Sequence, residues 1–146
     1  MRIAASCVLI AAGIAANAGS ASATANWDYI CSAEDTRVRI DVSLVFNQGT
    51  AGRISVTEGT AAAHHHAKDV SNEDVVSFAA DDIEQYWLAD DAFRISFSRY
   101  NGGDPEPARL VIDTTCSKLD CKGTYSYSRQ GATTSGSIIC KAGEKG

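Results

Sequence analysis

The stretch that decides the fold class is Arg37-Val38-Arg39-Ile40-Asp41-Val42-Ser43-Leu44-Val45-Phe46-Asn47. Every second residue from Val38 to Phe46 is apolar, and most of the residues between them are polar. Successive side chains of a β-strand point to opposite faces of the sheet, so this period of two places one face in a core and the other in solvent. We therefore expect an antiparallel strand that is covered on one side.

Shorter segments with the same alternation follow along the chain, at 54–56, 93–97, 110–112 and 125–127. Clusters of turn-forming residues separate them, at 47–52, 101–107 and 130–131. About seven to nine short strands of this kind predict an all-β protein. We expect a small antiparallel meander, closed as a barrel or folded as a sandwich.

Residues 71–88 allow two interpretations. Apolar residues recur there at helical spacing, after a capping-box pattern at 71–74. The same residues also form two strand-like segments, Val75–Ala79 and Ile83–Leu88, before a turn at 90–91. We favour the two strands, because a lone helix would differ from all of its neighbours.

The amino-terminal residues have the features of a secretory signal peptide. Arg2 precedes an apolar run, Ile3–Ala16, and the small residues Ala21 and Ala23 fit a signal-peptidase site. The apolar run is too short to span a bilayer. We predict a signal peptide over residues 1–23 and a single domain over 24–146. The domain would be periplasmic or secreted, with no membrane insertion after cleavage.

Four cysteines follow the predicted leader, namely Cys31, Cys116, Cys121 and Cys140. An even number in an exported chain predicts two disulfides, with three ways of pairing them. We favour Cys31–Cys140 with Cys116–Cys121. The rival pairs Cys121 with Cys140, across a hairpin that turns at 130–131, and leaves Cys31 for Cys116. Export and the C-x4-C spacing both argue against a zinc site.

The chain is acidic, with 18 acidic and 13 basic residues and a net charge of −5. It has no basic stripe, which argues against binding to nucleic acid or to anionic membranes. A cationic protein would be a favourable partner. One stretch holds eight of the 18 acidic residues, and Asp81, Asp82, Asp90 and Asp91 are its candidate docking residues. The stretch comprises Asp69, Glu73, Asp74, Asp81, Asp82, Glu84, Asp90 and Asp91.

All three histidines are adjacent, at 64–66. In an extended backbone His64 and His66 face the same side and could share a metal ion with an acid. The chain has no other histidine to complete such a site. We therefore expect a solvated loop and predict no cofactor, with His64 and His66 as the only metal-ligand candidates.

No motif in the chain identifies a reaction. There is no G-x-S-x-G elbow and no phosphate-binding glycine loop, and paired cysteines leave no free thiol as a nucleophile. We predict a protein that is not an enzyme. One alternative is a carrier of a small apolar ligand, with a cavity lined by Trp27, Tyr29, Tyr86 and Trp87. Another is a structural envelope protein.

The layout resembles the periplasmic and membrane-associated inhibitors of c-type lysozyme. Those are small exported antiparallel barrels with a Tyr-x-Cys opening, matched by residues 29–31, and a cysteine on the last strand, matched by Cys140. Their Tyr-x-x-x-Thr/Ser-Lys-Gly segment corresponds to 125–131, where Tyr125 and Gly131 are kept and Arg129-Gln130 replaces Thr/Ser-Lys. The family's Ser-Gly-x-x-Tyr loop has no counterpart upstream of Tyr125, and this chain has two additional cysteines.

The resemblance implies a non-catalytic exported barrel that binds a basic protein such as a lysozyme. It also implies a partner-binding role for Tyr125, Arg129 and Gly131. The acidic residues of the chain suit such a partner.

Overall fold

A computed structural model of the chain describes residues 26–48, 54–65, 74–89 and 91–145. All described strands belong to one nine-stranded sheet, and no described helix is long and apolar enough to cross a membrane. The predicted leader, residues 1–23, lies outside the described residues. The strands are β1 (Asn26–Glu34), β2 (Val38–Gln48), β3 (Ile54–His65), β4 (Asp74–Ala79), β5 (Ile83–Ala89), β6 (Ala92–Arg99), β7 (Ala108–Ser117), β8 (Asp120–Arg129) and β9 (Ala132–Lys145).

These strands confirm the all-β prediction, and they resolve the ambiguous segment in favour of two strands. β4 and β5 agree with the predicted segments to within one residue at each end. A short 3-10 turn, Ala80–Asp82, separates them, and its Asp82 carboxylate accepts a hydrogen bond from the Ala79 N–H at 2.8 Å. The helical spacing of the apolar residues in this segment therefore does not correspond to a helix.

The strands form a nearly closed antiparallel barrel in the order β4-β3-β2-β1-β9-β8-β7-β6-β5. Each neighbouring pair is antiparallel. Strand direction therefore alternates along this order, so β4 and β5, at its two ends, run in the same direction. They are two halves of one strand path, broken at Ala80–Asp82. β4 pairs with β3, whereas β5 pairs with β6.

The break leaves a seam in the barrel wall. Residues 54–59 of β3 extend beyond its pairing with β4, and within the described ranges neither they nor β5 have a second partner strand. On the β4 side of the break, packing of side chains closes the wall, since the rings of Phe78 on β4 and Phe97 on β6 lie 5.6 Å apart. Among the described strands, side-chain packing of β4 closes the barrel wall, and no strand pairs with β5 on its outer side.

The core consists of the inward-facing residues of the strands. The alternating apolar residues of β2, from Val38 to Phe46, are all at most 3% exposed, which confirms the strand predicted over 37–47. Tyr29 stacks on Phe93 at 4.8 Å and meets the edge of Phe46 at 5.6 Å, so aromatic rings fill the interior near the seam. Such packing stabilises the barrel through burial of apolar surface.

The disulfides pair Cys31 with Cys140 and Cys116 with Cys121, as favoured from the sequence. β8 and β9 also place Cys121 directly opposite Cys140. The four cysteines therefore form one row across β1, β9, β8 and β7, which we call the cysteine row. Cys31 and Cys116 lie at its two ends, three strand spacings or about 14 Å apart. The rival pairing is wrong, because no disulfide spans that distance.

Candidate functional site

The acidic candidates bracket β5. Asp81 and Asp82 lie on the 3-10 turn before the strand, and Asp91 lies in the turn after it. Asp90 is outside the described residues. Since β5 has seven residues, the two acidic positions are about 20 Å apart or more. The structure therefore separates these acids along one strand and does not gather them into one patch.

Two acids near the start of β5 form ion pairs with neighbouring strands. Asp82 lies 3.3 Å from Arg99 Nη1, and Glu84 Oε1 accepts a hydrogen bond from Arg109 Nη2 at 3.1 Å. Asp81 and Asp91 are exposed. Arginine contacts from β6 and β7 thus hold part of the acidic charge in place beside the seam.

β5 lies at one edge of the sheet and has no buried residue. It carries two large aromatic side chains. Trp87 is 55% exposed and Tyr86 is 36% exposed. Tyr86 turns towards the seam, where its ring lies 5.8 Å from that of Phe46, whereas Trp87 lies opposite Arg94 of β6. We call the side of β5 that is turned away from β6 the β5 edge. Among the described strands none pairs with β5 on this edge, and a strand at the edge of a sheet is a template for pairing with another chain.

A surface cavity of about 330 Å³ adjoins Tyr86 and Trp87. Arg94 on β6 also lines the cavity, and its Nε lies 3.8 Å from Asp113 Oδ2 on β7. The structure brings together only two of the aromatic residues predicted to line a cavity, Tyr86 and Trp87. Tyr29 lies in the core, and the side chain of Trp27 is outside the described set. The cavity lining is Gln85, Tyr86, Trp87, Arg94, Ser96 and Asp113.

Tyr125 is a core residue and does not belong to the surface that a partner would meet. It is 2% exposed, and its hydroxyl donates a hydrogen bond to the carboxylate of Asp35 in the β1–β2 turn. Burial, together with the nearby Asp35 charge, raises the pKa of Tyr125. The hydrogen bond from Tyr125 is the main cause that lowers the pKa of Asp35, and the backbone N–H of Arg37 adds to it.

Arg129 is engaged in an intramolecular clamp. Its Nε donates to Asp104 Oδ2 at 3.1 Å, and Gln130 Nε2 donates to Asp104 Oδ1 at 2.6 Å. These two contacts, that of Gln130 first, lower the pKa of Asp104. Gln130 and Gly131 both have positive φ, 51° and 76°, as a two-residue hairpin turn of type I′ requires, which confirms the predicted turn. The clamp ties this turn to the β6–β7 loop.

His64 and His65 lie at the end of β3 and are half-buried, so the expected solvated loop is wrong for these two residues, and they point to different partners. His64 Nε2 lies 3.4 Å from Asp41 Oδ2 on the outer face of β2, whereas His65 Nε2 lies 3.1 Å from the Tyr127 hydroxyl. His66, the other metal-ligand candidate, lies outside the described residues. Among those that the structure does describe, no group of three or more His, Cys, Asp or Glu side chains is placed to hold a metal ion.

Sequence reasoning missed Asp35 and Asp104, which organise the contacts of Tyr125 and Arg129. Each lies in a loop and meets a partner far along the chain, 90 residues away for Asp35 and 25 for Asp104. A local pattern does not contain such a pairing. The only local indication was that both aspartates stand among turn-forming residues, which places them in loops.

No known protein family, curated protein or solved structure matches the chain. The functional assignment therefore depends on the geometry of its own residues.

Proposed function

We propose that this protein is an exported, non-catalytic binding protein that holds an extended, basic segment of a partner protein along the β5 edge. The observation that carries the proposal is the edge itself, a strand paired on one side among the described residues and bearing the exposed Trp87. Adding a strand to an exposed sheet edge is a common mode of peptide recognition.

The chemistry of β5 supports a partner with an apolar centre and basic ends. Trp87 and Tyr86 offer aromatic area at the middle of the strand, and aromatic residues of this kind commonly dominate binding energy. Asp81 and Asp91, exposed beyond its two ends, would attract lysine or arginine. The net charge of −5 favours the same partners over longer distances.

Export is the second component of the proposal. It rests on the signal-like residues 1–23 and on the two disulfides, which persist in oxidising compartments such as the periplasm or the outside of the cell. Detection of the processed chain outside the cytoplasm, with its amino terminus close to residue 24, would support it. A reduced and unprocessed chain in the cytosol would contradict it.

A designed peptide tests the recognition mode. We choose a seven-residue probe, as long as β5, with lysine at both ends and alternating valine and threonine between them. Alternate amides of an extended peptide point to opposite edges, so methylation of every second amide blocks one edge only. We expect one methylated set to abolish binding and the other to leave it intact. Equal binding of both sets would contradict strand addition.

Substitution of Trp87 tests the location. Trp87→Ala should weaken binding of the unmethylated peptide about tenfold or more, which corresponds to about 1.4 kcal/mol. Leu119→Ala is the matched control, because Leu119 is also a large exposed apolar residue, at 59%, but lies in the β7–β8 turn. Equal affinities of the two variants would place binding elsewhere.

The family resemblance makes a c-type lysozyme the first protein partner to test. We expect the purified domain to inhibit lysozyme at micromolar concentration, and Trp87→Ala to weaken that inhibition. A lysozyme that stays fully active, together with peptide binding that depends on Trp87, would remove lysozyme as the partner and retain the β5 edge.

A further inference from the structure

The cysteine row places two buried cysteines, Cys121 and Cys140, directly opposite each other although they are not bonded. Cys140 on β9 pairs in register with Cys31 on β1, its disulfide partner, and also with Cys121 on β8. Cys121 in turn is bonded to Cys116 on β7. Residues directly opposite each other in a sheet point to the same face, so the four side chains share the inner face.

The unbonded pair, Cys121 and Cys140, lies within disulfide distance. The N–H and C=O of one residue in an antiparallel sheet both point to the same neighbouring strand. The two existing disulfides have Cα–Cα distances of 3.9 Å, which lie nearer to the closer, non-hydrogen-bonded kind of pair (about 4.5 Å) than to the hydrogen-bonded kind (about 5.5 Å). Cys121 and Cys140 therefore form the wider kind, with Cα atoms about 5.5 Å apart. That separation is in the usual range for a disulfide.

Solvent reaches this row at one end. Cys116 is partly buried and lines a surface cavity of about 350 Å³, together with Lys122 and other residues of the β7–β8 hairpin. Cys31, Cys121 and Cys140 are each at most 1% exposed. An incoming thiolate therefore meets the sulfur of Cys116 first. Lys122 and Asp120, which carry opposite charges, both line this cavity.

We propose that the cysteine row is a thiol–disulfide exchange relay that reacts with a dithiol reductant. One reductant thiolate attacks Cys116 Sγ, which forms a mixed disulfide and releases the Cys121 thiolate. Cys121 then attacks Cys140 Sγ, which forms the Cys121–Cys140 bond and releases the Cys31 thiolate. The second thiolate of the reductant then attacks the reductant sulfur that is bonded to Cys116 Sγ. This closes the reductant's own disulfide and releases the Cys116 thiolate.

The relay balances as a two-electron reaction. The dithiol becomes a disulfide, and the protein goes from two disulfides to one, with Cys31 and Cys116 as free thiols. The surviving bond, Cys121–Cys140, is absent from the starting protein. Reduction at the surface is thereby passed across β8 and β9 to β1, and the bond that joins β1 to β9 opens without direct access to it.

The test uses the full exported chain without substitutions. One equivalent of dithiothreitol is added under argon, exchange is stopped with acid, free thiols are alkylated, and peptides are mapped by mass spectrometry. We expect alkylation at Cys31 and Cys116 with a Cys121–Cys140 bond. Alkylation at Cys116 and Cys121 with an intact Cys31–Cys140 bond would overturn the relay. Resistance of all four cysteines, or first opening of Cys31–Cys140, would overturn attack at Cys116.

Two single variants give an independent test that needs no reductant. Cys116→Ser leaves Cys121 free beside Cys140, and Cys31→Ser leaves Cys140 free beside Cys121. Both should convert to the same Cys121–Cys140 bond. For Cys116→Ser, alkylation of Cys31 should exceed that in the Cys116→Ser/Cys121→Ser control by about tenfold or more. Alkylation of Cys31 at the level of the control would contradict the proposal.

Urea distinguishes exchange in the folded barrel from exchange after unfolding. In the folded barrel the rate should not change in urea below the unfolding transition, as monitored by circular dichroism. A rate that rises steeply with urea over that range would contradict the relay. This proposal is independent of the β5 edge, since neither its residues nor its test involve β5.

Discussion

The hydroxyl of Tyr125 on β8 donates a hydrogen bond to the carboxylate of Asp35 in the β1–β2 turn, 90 residues away in the chain. The same carboxylate accepts the backbone N–H groups of Arg37 and Val38, at 2.6 and 2.9 Å. Asp35 thus shapes its own turn and ties that turn to β8. β1 and β8 are not neighbours in the sheet, since β9 lies between them.

Loss of the Tyr125 hydroxyl should destabilise the barrel. Tyr125→Phe keeps the buried ring and removes the donor, so we expect a loss of about 1–3 kcal/mol in the free energy of unfolding, measured with urea. Tyr100→Phe is the control, because Tyr100 is 71% exposed and should show no change. Equal stability of the two variants would mean that the bond to Asp35 contributes nothing.

Stability should fall in acid because of Asp35. Its pKa is lowered in the folded protein, chiefly by the bond from Tyr125, so its stabilising effect is present above the ordinary pKa of about 4 and is lost as pH falls through the folded value. We expect the urea midpoint to drop between pH 6 and pH 3, and to drop less in Asp35→Asn. An identical pH dependence in that variant would exclude Asp35 as a cause.

Stability should also fall in alkali, through buried tyrosines. The pKa values of Tyr125 and Tyr29 are both raised, chiefly by burial, so their stabilising effect is present below the ordinary value of about 10 and is lost at higher pH. Absorbance at 295 nm should show that Tyr29 and Tyr125 ionise only with unfolding, and Tyr125→Phe should remove one tyrosine from that late phase. Ionisation of all tyrosines in the folded barrel would contradict this expectation.

Gly136 on β9 provides the space that the ring of Tyr125 occupies. A Cβ atom at this position would lie 2.8 Å from Tyr125 Cε1 and 3.1 Å from its hydroxyl oxygen. Gly136→Ala should therefore cost about 1–3 kcal/mol in the free energy of unfolding, by overpacking. At Gly102 a Cβ would meet no atom within 4 Å, so Gly102→Ala should have little effect. Comparable losses in the two variants would refute the packing argument.

The two disulfides should contribute unequally to stability. Cys31 and Cys140 are separated by 109 residues in sequence, whereas Cys116 and Cys121 are separated by five. Loop-closure entropy then predicts losses of about 5 and about 2 kcal/mol for the respective double alanine variants. Thermal unfolding of each variant measures the difference. A larger loss for Cys116→Ala/Cys121→Ala would contradict the entropic explanation.

Much of the fold could be predicted because its signals are local. The alternation from Val38 to Phe46 reflects the opposite orientation of successive side chains in any strand, and the Gln130-Gly131 turn reflects backbone preferences of adjacent residues. The helical spacing of the apolar residues around 76–87 is a local signal as well, and there it indicated a helix where the structure has two strands. A period read over a short segment does not include the strands with which β4 and β5 pair.

The candidate site was predicted only in part. Trp87 and Asp81 are exposed beside the seam, but Tyr125 lies in the core and Arg129 contacts Asp104. Sequence alone places these residues on strands and turns. It does not determine which of them are buried, or which distant loop residues they contact. Those contacts follow from the order and register of the sheet.

The chain by itself determined the β-strand period, the main turns and the number of cysteines available for bonds, because each depends on neighbouring residues or on composition. The tertiary structure alone decided that β4 and β5 are one broken path, and that Cys121 faces Cys140 as well as Cys116. The physical reason is that register is a collective property of the sheet. Burial of one face over all strands selects it, and no single segment contains that information.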